Sequence, residues 1–134
     1  MQDKTGVHTP LGPVQVMGFV DDNDDVVGGF MFERYTGVTG SVHAHWAGSP
    51  DRPWMTRNVL SLVAIYVFDQ LECHIMYGEV RASDTVVRKM DERLGFVETA
   101  VLPAYFPDDD LIIYSMTKQQ CRFLPTAYKE TFDG

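Results

Sequence analysis

The sequence predicts an α+β domain, three-layer-like, with the element order β-β-β-α-β-α-β-β and a mixed sheet. Three observations predict it. Short apolar runs separated by Gly-, Pro- and Asp-rich turns fill the chain up to Trp46. Two longer stretches, 54–71 and 84–94, place apolar residues at helical spacing. A strand-like run follows each of them, so both helices act as crossovers and some pairing must be parallel.

Residues 1–12 are polar with Gly and Pro and read as a loose arm. Val14, Val16, Phe19 and Val20 mark the first strand. Asp21 to Asp25 is an acidic run that suits a hairpin turn, because Asp and Asn side chains bond their own backbone. It lacks the Gly and Glu that an EF-hand loop requires, so a calcium loop is rejected. Val26 to Tyr35 is a second strand, and Gly28-Gly29 within it predicts a bulge or a close backbone approach. Ser41 to Trp46 is the third. Alternation puts Val42, Ala44 and Trp46 on one face, His43 and His45 on the other.

Gly48 to Pro53 is a loop, and a helix starts near Trp54 to Arg57. Val59, Leu60, Leu62, Val63, Tyr66, Val67 and Leu71 form its apolar face, widened by Ile65 and Phe68. Cys73 to Val80 is the next strand. Ser83 or Asp84 caps the second helix, which carries Val86, Val87, Met90 and Leu94 on its apolar side and ends at Gly95. Val97 to Tyr105 and Leu111 to Met116 complete the sheet around the turn at Pro107 to Asp110. The whole chain, 1–134, reads as one domain: a 13–118 core flanked by the arm and a 119–134 tail.

The bulk figures exclude several classes. A 134-residue chain that is 45% hydrophobic builds one core without staples. A net charge of −8 argues against a nucleic-acid footprint and against anionic membrane. It is compatible with a cationic or amine-bearing substrate. Cys73 and Cys121 have no metal-ligand spacing, no metal site is expected, and the N-terminus has no apolar signal region. The expectation is a cytoplasmic protein.

The order of elements, with Asp84 to Phe96 and its closing Glu92-Arg93-Leu94-Gly95-Phe96, resembles the GNAT superfamily of acyl-CoA-dependent N-acetyltransferases. The resemblance covers roughly residues 14–118. Small phage-carried members look particularly similar. The usual N-terminal strand and two helices, which build one wall of the acceptor site, have no counterpart ahead of Val14. The family's cofactor loop matches Arg52-Pro53-Trp54-Met55-Thr56-Arg57, with the Arg kept and both small residues replaced.

The resemblance implies acetyl transfer from acetyl-CoA to an amine, with a catalytically silent GNAT-like binding or virion-associated protein as the alternative. It implies that Arg52, Trp54, Met55, Thr56, Arg57 and Asn58 hold the pyrophosphate at a helix start, where free N–H groups and the helix dipole favour anions. Trp46 and Ala47 would polarise the thioester carbonyl. Ser83, Asp84 and Val87 would border the pantetheine arm, although the two polar residues equally serve as caps and Val87 as core. The position of the family's proton-donating Tyr is Asp91, on a face read as solvated. Tyr105 is a substitute candidate. His43 and His45 suit a base drawing a proton from an amine; ordinary polar strand positions are the competing account. The missing wall would leave strand edges and the aromatics Phe30, Phe32 and Tyr35 uncovered, which implies a homodimer or a docking partner.

Overall fold

In the first turn the Asp21 carboxylate does the work expected of it. Its Oδ1 accepts from the backbone N–H of Asn23 at 2.8 Å and of Asp25 at 3.0 Å. That bend joins β1 (Gln15–Val20) to β2 (Val26–Thr36), and a second turn with Gly40 at φ +66° leads into β3 (Ser41–Gly48). The computed structural model describes residues 14–48 and 54–125.

Helix α1 (Arg57–Ile65) continues as a wider π-helical turn over Tyr66–Gln70. It leads to β4 (Ile75–Arg81), α2 (Thr85–Leu94), β5 (Val97–Phe106) and β6 (Asp109–Thr117). The six strands form one sheet in the order β1-β2-β3-β4-β6-β5. β3 and β4 pair in parallel, and the other neighbours are antiparallel. The α+β class and the predicted order of elements both stand.

Both helices cover the face that carries Phe30, Phe32, Val42, Ala44, Met76 and Val80. Trp54, just ahead of α1, closes one end of this core. Its ring lies 5.7 Å from Phe30 and 6.0 Å from Phe19. A Cβ at Gly28 or Gly48 would fall inside the indole, so the close approach expected at Gly28 is made by Trp54. Phe30 and Phe32 are buried beneath Trp54 and Tyr66, which corrects the expectation that they lie uncovered; Tyr35 does remain exposed.

Two helical positions also differ. Leu62 is 55% exposed and Val86 73% exposed, because each falls outside the narrow stripe that meets the sheet. Past Lys118, Cys121 and Leu124 are buried in the core. The opposite sheet face presents Glu33, His43, His45, Tyr77 and Glu79. No helix covers it among the described residues.

Candidate functional site

The site follows from where strand pairing stops. β3 and β4 are in register at Ser41↔Ile75, Val42↔Met76 and His43↔Tyr77, and no further. β3 then runs on to Gly48 beside β2, and β4 to Arg81 beside β6. The two diverge around a cavity of about 150 Å³. His45 and Trp46 border it from β3, Gly78 and Glu79 from β4, Val87 and Asp91 from α2. Leu60, Val63 and Ala64 of α1 and the sheet residues Phe30, Ala44 and Met116 make most of the rest apolar.

The two histidines share a face, as alternation requires, but have different partners. His45 Nε2 lies 2.6 Å from Glu33 Oε2. A carboxylate accepts only, so in a neutral ring Nε2 carries the proton and Nδ1 is left as the acceptor. His43 Nδ1 sits 3.2 Å from Glu79 Oε2 and 3.3 Å from Arg34 Nη2. Arg34 in turn donates to Glu79 at 2.7 Å. Burial lowers the His43 pKa, the Arg34 charge lowers it further, and Glu79 opposes both. His43 does not line the cavity; its ring lies 5.2 Å from that of Tyr77.

Asp91 corrects the sequence reading most sharply. It is 4% exposed, not solvated, and borders the cavity from α2. Its Oδ1 is buried with no hydrogen-bond partner. Burial, followed by the Asp84 and Glu92 charges, pushes its pKa up to about 7. A signal for this was present: Val87, Asp91 and Leu94 fall at i, i+4 and i+7, one helical stripe. In the sequence the charged residue type masks that spacing.

Arg52 lies outside the described residues. Thr56 caps α1, its Oγ1 accepting from Val59 N at 3.2 Å. Arg57 stands over the Phe123 ring at 5.4 Å, and Asn58 is exposed in the first turn. Trp54 is taken up in the core, and Met55 packs partly against it. Asp84 caps α2, accepting from Val87 N at 3.2 Å, and Ser83 Oγ bonds Asp109 at 2.6 Å. Ala47 is exposed near the end of β3. Tyr105 is 58% exposed on β5 and does not border the cavity. The structure thus gathers His45, Trp46 and Val87 at one opening and leaves Tyr105 away from it. Glu33 and Glu79, the histidine partners, were not anticipated, since cross-strand register is not visible in a single strand's pattern.

The overall fold is also found in solved structures. The spermidine N-acetyltransferase SpeG from Vibrio cholerae, in a mutant form, superposes with a TM-score of 0.73 at 16% identity over 85% of this chain and 69% of that one. The chain has the GNAT fold. A chimera of SpeG from Vibrio cholerae and hSSAT gives a TM-score of 0.70 at 17% identity, covering 79% of this chain and 68% of that one. The dodecameric SpeG in an intermediate state gives 0.71 at 17% identity, over 79% and 66%. No protein-family model matches the sequence, and no curated protein does.

Proposed function

We propose that the chain transfers an acetyl group from acetyl-CoA to a primary amine. The observation that carries this reading is the parting of β3 and β4 around a largely apolar cavity bordered by His45, whose tautomer Glu33 sets. The cavity suits a thioester arm, and an orphaned buried carboxyl at its wall awaits a polar ligand atom. Bound there, acetyl-CoA supplies the activated acyl group. The open N–H groups at the start of α1, with Arg52 and Arg57, would hold its phosphates, and Val87 and Trp46 would flank the arm.

His45 Nδ1 takes the proton from the incoming amine, and Glu33 stabilises the imidazolium that forms. His43 and Arg34 hold Glu79 at the cavity edge. Carboxylates at Glu33 and Glu79 favour a cationic acceptor, so polyamines are the first class to assay; the solved neighbours are spermidine acetyltransferases. A second copy would cover the open sheet face, which gives a homodimer. Cys73 and Cys121, buried and not joined in a disulfide, fit a reducing cytoplasm.

Calorimetry with acetyl-CoA tests the reading. Measurable heat is expected, with Arg52→Ala weakening binding by about 1–3 kcal/mol as for a lost charge-assisted contact. No heat at millimolar cofactor would leave only a silent GNAT-like binding protein. Turnover unchanged in His45→Ala would remove the base.

A further inference from the structure

We infer that Asp91 delivers the proton that the departing sulfur needs, from a buried carboxyl that has no other partner. This rests on the acetyl-transfer reading. The geometry carries it in three steps. Asp91 is on the stripe of α2 that faces the cavity, between Val87 and Leu94. Its Oδ1 is buried and makes no hydrogen bond in a protein interior where such atoms are nearly always paired. The fold offers it nothing to neutralise, because no cation borders the cavity among the described residues.

The groups facing it all disfavour its charge or leave it untouched. On its own helix are Asp84 and Glu92. Across the cavity are Glu79 of β4, His45 of β3 and the Cys121 thiol beyond β6, while α1 contributes apolar side chains. A carboxyl so placed keeps its proton near neutrality, with its titration raised to about 7.

The proton count closes. The C–N bond forms and the C–S bond breaks. The reacting nitrogen enters as the neutral amine, an ammonium having first released its proton to solvent, and His45 Nδ1 takes one proton from it as the bond forms. Asp91 gives one proton to the sulfur, which receives the electron pair of the C–S bond. The products are amide and thiol, and the His45 proton returns to Asp91 by way of solvent. A phenol in this role loses its proton near pH 10, whereas a carboxyl near 7 sets the alkaline limit of turnover three units lower.

Two measurements test it. In the spectroscopic arm, the Asp91 carboxyl carbon is followed by NMR in the free protein, with CoA and with desulfo-CoA, which carry the same phosphates and differ only at the sulfur. The midpoint is expected near pH 7 in the free protein. CoA should displace it and desulfo-CoA should not. Equal effects from both ligands overturn the inference. In the kinetic arm, wild-type kcat should fall above about pH 7. Asp91→Asn should lose on the order of 10²-fold in kcat and the alkaline limb, with the acetyl-CoA Kd little changed, and Asp91→Glu should recover part. Wild-type kcat and pH profile in Asp91→Asn overturn the inference alone. A wild type that binds no acetyl-CoA and acetylates no amine overturns the parent reading, and the inference with it.

Discussion

Trp54 and Gly28 form a pair whose energetics can be worked from their contact. Trp54 is 8% exposed, lies against Phe19 and Phe30, and occupies the space above Gly28 and Gly48. Removing its ring in Trp54→Ala should cost about 3–5 kcal/mol, the transfer and cavity terms together. A 134-residue domain unfolds with an entropy near 280 cal/mol/K, so each kcal/mol is worth roughly 3.5 °C. The expected fall in Tm is about 10–18 °C. Gly28→Ala puts a methyl inside the indole and should cost about 1–3 kcal/mol by overpacking. In the Trp54→Ala background the same change meets empty space and should be neutral or slightly stabilising, since Gly in a strand carries an entropic cost. Thermal melts of the four proteins close the cycle, with an expected coupling of about 1–3 kcal/mol. An equal penalty for Gly28→Ala in both backgrounds would refute the claim that the indole dictates glycine there. The pair bears on function because Trp54 anchors the chain three residues before α1, whose Leu60, Val63 and Ala64 line the cavity.

Two further outcomes concern stability. Asp91 has a folded pKa near 7 against an ordinary 3.8, so the folded chain holds a proton there that the unfolded chain releases between those values. Its contribution is therefore full below about pH 4 and lost as pH rises through about 7, at most about 4 kcal/mol. Melts of Asp91→Asn should show it more stable than wild type at pH 8 and little different at pH 4; a less stable variant at pH 8 would contradict the orphaned carboxyl. Gly95 ends α2 at φ +108°, where a side chain is strained, and Gly95→Ala should lower stability by about 1–2 kcal/mol in urea titration.

The second half of the fold was legible because its signals are local. Asp84 and Gly95 bracket α2 at the positions expected of a cap and a left-handed stop. The turn at Asp21 follows from one side chain and its neighbours. What the sequence concealed is non-local. The length of the β3–β4 pairing depends on how the crossover seats both strands, not on the strands themselves. The same holds for Glu33 and Glu79, which reach their histidines from neighbouring strands. Asp91 is obscure in the sequence for the opposite reason. Its spacing announced burial and its residue type denied it, and a charged type loses that contest only where the fold needs a polar atom inside.

The sheet is in effect two three-stranded units joined along a short seam. β4 and β6 share seven registered pairs, from Ile75↔Thr117 to Arg81↔Leu111, but β3 and β4 share three. Beyond His43 and Tyr77 the facing edges keep backbone donors and acceptors that no strand satisfies, and such groups demand a partner. An extended ligand with amide groups meets them as an added strand would. The pantetheine arm of the proposed acetyl-CoA is of that kind, with two amides and a sulfur at its end. On the proposed reading, polar demand along the edges and an apolar interior would suit different parts of that one ligand's length. Among the described residues, the buried Asp91 Oδ1 is satisfied by neither edge nor core, and it stands at the cavity wall.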